Sequence, residues 1–130
     1  MAFQKLKKRS GYVRIAKSQV YARLSSVIVQ GDSSDHLSAG CLPCLGYTAS
    51  RRVGSAVRRN RAKRRLKAAV VELSRSNLLT PSAVDFVFIA TPATPDVEFS
   101  LLKDHILTGI RKCSRLLEAK LSQPLEGDAP

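Results

Sequence analysis

Apolar residues recur at helical spacing in the middle of this chain. Projected at about 100° per residue, Ala62, Leu66, Ala69, Val70 and Leu73 fall on one stripe, which predicts a helix over residues 56–76. Gly54 breaks the chain before it and Ser55 is a suitable N-cap. Leu102, Ile106, Ile110, Cys113 and Leu117 repeat the pattern and predict a last helix over residues 99–121. Residues 5–20 read as a shorter amphipathic helix, with Leu6, Val13, Ile15, Ala16 and Val20 between basic side chains. Gly11 weakens its first turn, so the firm part starts near Tyr12.

Between the helical patterns lie strand-like runs. LSSVIVQ at 24–30 is rich in β-branched residues, and LGYTAS at 45–50 follows a polar loop, GDSSDHLSAG. The two suggest a hairpin with a long connection. VDFVFIA at 84–90 is almost wholly apolar, as a central strand covered on both faces requires, and TPATP ends it sharply. The order αββαβα describes an α+β fold, a small mixed β-sheet packed by helices. Residues 1–121 are expected to form one domain, and 122–130 a flexible tail.

Charge then changes the picture. The chain carries 22 basic and 10 acidic residues, a net charge of +12, which calls for a polyanionic partner such as nucleic acid. Sixteen of the basic residues but only two acids fall within residues 1–71. RRVGSAVRRNRAKRRLK, at 51–67, holds nine Arg or Lys side chains in seventeen positions. On the predicted helix Asn60, Arg61 and Arg64 lie opposite the apolar stripe, Arg58 and Arg65 flank one side, and Lys63 and Lys67 the other. Arg59 projects onto the continuation of the stripe, where it must reach past the core edge or contact something else.

A solvated face usually mixes both signs, yet no acid occurs from His36 to Val71. Like charges at i, i+4, such as Arg61 with Arg65, cost roughly 0.2–0.5 kcal/mol each without a counter-anion. Phosphate supplies one. The frames that usually present a helix to duplex DNA are missing, which favours RNA. Tyr12, set among cations, has the composition of a stacking position for single-stranded nucleic acid, and Tyr47 shares it; a core aromatic is the plainer reading of each.

Other chemistry finds little support. CLPC at 41–44 has only Cys113, His36 and His105 as further ligands, at no zinc spacing, and it precedes a strand instead of opening a helix as a thioredoxin-like pair would. The acids are scattered and the two histidines isolated, so neither a metal-dependent nuclease nor a nucleophilic triad can be read; catalytic and metal-binding residues are both expected to be none. No run reaches a membrane span and the N-terminus lacks a secretory h-region, so a cytoplasmic protein without a membrane partner is expected.

GYTASRRVGSAVRRNRAKRRLK closely resembles the signature of the bacterial ribonuclease P protein component: a strand, a basic pair, Val-Gly, then Arg-Asn-Arg followed by Lys-Arg. LKKRSGYVRI at 6–15 resembles the family's opening helix and VDFVFIATPA at 84–93 its last strand. The resemblance implies a ribosomal-protein-like sandwich with a left-handed βαβ crossover, against the general preference for right-handed ones. It implies an RNA-binding subunit of an endonuclease that removes the 5′ leader of precursor tRNA to generate mature 5′ ends. It further implies that the catalytic RNA cleaves, with Mg²⁺ held mainly by RNA and substrate, and that one protein serves each RNA.

Position by position, the resemblance assigns Arg52, Arg59, Asn60, Arg61, Lys63 and Arg64 to the ribonuclease P RNA and Tyr12 to the leader, with Tyr47 lining the same cleft. Three departures stand out: Ser55 where the family usually has Asn, Ala16 in place of a second aromatic, and Thr91 where a basic residue is common. A structural ribosomal-type RNA binder and a small DNA-compacting protein are the alternatives to a processing role.

Overall fold

The computed structural model describes residues 4–5, 9–33, 44–76 and 84–122. Its elements are β1 (Gln4–Lys5), α1 (Arg9–Lys17), β2 (Tyr21–Arg23), β3 (Val27–Ser33), β4 (Cys44–Ala49), α2 (Ala56–Arg75), β5 (Val84–Ala90) and α3 (Phe99–Ser122), with a 3-10 turn at Arg51–Val53. They form one five-stranded mixed sheet in the order β1-β4-β5-β3-β2.

The helix, strand and sheet class agree with the sequence reading, while the pairing does not. β3 and β4 form no hairpin, because β5 inserts between them, antiparallel to β3 and parallel to β4. β4, α2 and β5 are therefore a parallel βαβ unit, the connection such strands need. The opening helix is also shorter than its pattern. Gln4–Lys5 pairs with β4, and Tyr21–Arg23 pairs with β3 as an unforeseen edge strand. Gln19, in the left-handed region at φ 59°, turns the chain from α1 into β2. Most of the GDSSDHLSAG loop, Cys41, the LLTPS turn and the tail beyond Ser122 lie outside the described residues.

Strand alternation splits the sheet into two unequal faces. Val27, Val29, Leu45, Phe86, Phe88 and Ala90 meet α2 and α3 in the main core. The predicted α2 stripe is buried throughout, and Leu102, Ile106, Cys113 and Leu117 of α3 complete that layer. Among the described residues the second face carries only α1, through Ile15 and Tyr12 against Cys44, Val87 and Ile89. Val13 and Ala16 of the predicted apolar set are exposed. With so short a helix above it, much of this face is left open by the described residues, and Ile28, Gln30, Thr48 and Ile89 are only half-buried.

Candidate nucleic-acid interface

Two local signals start α2 where the sequence placed it. Ser50 Oγ accepts from the Arg52 N–H at 3.3 Å and begins the 3-10 turn, which closes when the Gly54 N–H donates to the Arg51 carbonyl at 3.1 Å. Gly54 has φ 132°, a region in which a side chain is strained, and a Cβ there would come within 2.9 Å of Arg58 Cδ. Ser55 Oγ then accepts from the Arg58 N–H at 3.3 Å, so serine keeps the capping role at the position where asparagine is usual. Arg52 is exposed on the turn, at the approach to the helix.

The cationic side chains of α2 divide into two edges. On one, the arginines turn back onto the chain between β5 and α3. Arg58 Nη2 donates to Asp96 Oδ2 at 2.7 Å and its Nε to the Val53 carbonyl at 3.2 Å. Arg61 Nε donates to the Pro95 carbonyl at 3.0 Å. Arg65 bridges the Thr94 carbonyl, at 2.7 Å, and the Val97 carbonyl. The segment they grip is itself ordered: buried Thr94 accepts from the Thr91 N–H at 2.8 Å and donates to the Ser26 carbonyl at 2.6 Å. Thr91, lacking the common basic side chain, donates to the Ser25 carbonyl at 2.8 Å.

Electrostatics follow the contacts. The Arg58 hydrogen bond, assisted by the charges of Arg58, Arg61 and Arg65, holds the Asp96 carboxyl below its usual range. Burial lowers Arg65, with the Arg61 charge adding to the effect.

Among the described residues the other edge of α2 carries no such partner segment. Val57, Asn60, Lys63, Arg64 and Lys67 line an open concavity of about 540 Å³, with Val57 76% exposed at one end. At the other, Lys67 Nζ sits 5.8 Å from the centre of the Tyr47 ring. Arg59 is half-buried as its helical position demanded, and among the described residues its buried Nε meets no acceptor.

The two tyrosines do not share a cleft. The Tyr12 ring lies over Gly46, so closely that a Cβ there would be 2.7 Å from it, on the open face of the sheet. Tyr47, one residue on, points to the opposite face and stacks on Phe88 with ring centroids 5.5 Å apart. Burial, with a smaller effect from Tyr12, raises the Tyr47 hydroxyl to about 12. Tyr12 of α1 and Thr48 of β4 thus share this face, and Tyr47 belongs with Lys67. The rule that side chains alternate along a strand could have separated them in advance.

No group of three or more His, Cys, Asp or Glu suited to a metal occurs among the described residues. Cys44 opens β4 with its side chain buried, and buried Cys113 donates to the Val29 carbonyl at 3.3 Å.

Known proteins agree with this architecture. The ribonuclease P family matches residues 1–114. The chain is 29% identical to the ribonuclease P protein component of Paramagnetospirillum magneticum, over 97% of this chain and 94% of that protein. It is 32% identical to that of Caulobacter vibrioides, over 85% and 70%. The solved ribonuclease P protein of Staphylococcus aureus superposes with a TM-score of 0.64 at 19% identity, over 85% of this chain and 94% of that one, a likeness of fold. From the family match and the relatives together, the chain belongs to the ribonuclease P protein component family.

Proposed function

We propose that this protein binds the catalytic RNA of ribonuclease P along α2 and holds the 5′ leader of precursor tRNA on the open sheet face beside α1. The observation that carries the reading is the open edge of α2, where Asn60, Lys63, Arg64 and Lys67 gather around one concavity. Multiple cations on a rigid helix suit phosphate, whose charge they neutralise as counterions leave. Arg52, exposed on the preceding turn, extends the same surface.

On the other face, Tyr12 offers a ring for stacking, and Arg9, Ser10, Val13, Arg14 and Lys17 border a second concavity along α1. An extended single strand needs this combination of a flat apolar ground and flanking cations. No side chain of this protein is assigned a bond-breaking step: the chemistry is that of the RNA, with Mg²⁺ bound mainly by RNA and substrate. The protein contributes affinity, position and charge neutralisation, in the cytoplasm and as one copy per RNA.

Competition binding tests the reading. With ribonuclease P RNA present, the wild-type protein should favour precursor over mature tRNA, and Tyr12→Ala should reduce that preference. A protein that binds a size-matched structured RNA as tightly as ribonuclease P RNA is a general RNA binder instead.

A further inference from the structure

The two edges of α2 are chemically unlike, which points beyond general phosphate binding. Arg58, Arg61 and Arg65 spend guanidinium donors on Asp96 and on the carbonyls of Thr94, Pro95 and Val97. On the opposite edge an exposed aliphatic side chain stands at one end of a run of polar and cationic groups. Val57 is the most exposed large apolar residue among the described ones, and it shares its concavity with Asn60, Lys63, Arg64 and Lys67. Val57, Asn60 and Arg64 follow one another at i, i+3 and i+7, so they form one row on the helix.

A row of phosphates gives an exposed valine nothing to bind. A nucleotide pulled out of its stack does: an apolar base or ribose face for Val57, a base edge for the two-donor, one-acceptor carboxamide of Asn60, and flanking phosphates for the cations. We infer that this concavity receives a single unstacked nucleotide of the RNA partner, while the Arg58 and Arg65 edge is committed to holding the β5–α3 segment and contacts no phosphate. The inference rests on the reading of α2 as the surface for ribonuclease P RNA, and assigns Val57 and Asn60 a selective role within it.

The test is equilibrium binding of the full chain to ribonuclease P RNA across a salt series. Lys63→Ala and Arg64→Ala should each flatten the log–log slope by about 0.7–0.9, one phosphate contact apiece. Val57→Thr, isosteric and on an exposed site, should weaken binding roughly threefold to tenfold with no change of slope, as loss of a buried methyl contact requires. Arg58→Gln should lower the melting temperature and leave the slope intact. Abasic substitution along the RNA should locate one nucleotide whose removal makes Val57→Thr silent. Unchanged affinity in Val57→Thr, or a flattened slope in Arg58→Gln, overturns the inference even when the wild type binds specifically. A wild type without preference for ribonuclease P RNA removes the underlying reading as well.

Discussion

Arg14 Nη2 donates to Asp85 Oδ2 at 2.6 Å, joining α1 to the central strand through an acid that is almost wholly buried. The second oxygen of Asp85 accepts from the Cys44 N–H at 2.8 Å, so one carboxylate ties α1, β4 and β5 together. Asp32 lies 3.6 Å from the same guanidinium. α1 contributes few apolar contacts, and this ion pair fixes where the helix, and with it Tyr12, rests on the sheet.

Replacing Asp85 with Asn keeps the shape and an acceptor for Cys44 but removes the charge opposite Arg14. A loss of about 2–3 kcal/mol is expected, below the full cost of a broken buried pair because Arg14 stays a quarter exposed. Thermal denaturation should show it as a drop of several degrees. Leader preference should fall with it, since Tyr12 loses its anchor.

Gly46→Ala tests the seating of Tyr12 separately. The added methyl would stand 2.7 Å from the ring, so α1 or the tyrosine must shift. About 1–3 kcal/mol of destabilisation is expected, together with weaker discrimination between precursor and mature tRNA. Binding to ribonuclease P RNA in the absence of substrate should be unaffected, because α2 packs on the other face.

The arginine clamp makes a pH-dependent prediction. The hydrogen bond from Arg58 holds Asp96 below its usual range, so the native state keeps the carboxylate ionised where the unfolded chain begins to protonate it. The contribution is present above about pH 4 and disappears as pH falls through the lower native value. Melting temperatures of wild type and Asp96→Asn should therefore differ by a constant small amount from neutral pH to about pH 5 and converge in stronger acid.

Tyr47 gives the opposite sign. Its hydroxyl is raised to about 12, chiefly by burial, so the stability of its neutral form is complete below about pH 10 and lost as pH climbs through that raised value. Ultraviolet titration should lose its component near 12 in Tyr47→Phe. Precursor binding should change less in that variant than in Tyr12→Ala.

These features differ in how far the sequence reveals them. The α2 stripe was legible because a 3.6-residue period persists over several turns, and Ser55 and Gly54 mark its start in their own chemistry. Strand pairing was not: 24–30 and 45–50 are neighbours in sequence, but a parallel βαβ unit sends β5 between them. β2 was hidden because its three residues continue an amphipathic pattern. The fate of the arginines was equally hidden, since Arg58, Arg61 and Arg65 meet acceptors some thirty residues away, most of them backbone carbonyls that any sequence offers.

Reconstituted cleavage tests the central claim most directly. Wild-type protein, added to the cognate ribonuclease P RNA at a Mg²⁺ concentration too low for the RNA alone, should restore removal of the leader from precursor tRNA, and the combined Lys63→Ala and Arg64→Ala variant should restore far less at the same protein concentration. No stimulation by the wild type, or equal stimulation by the variant, would contradict the account.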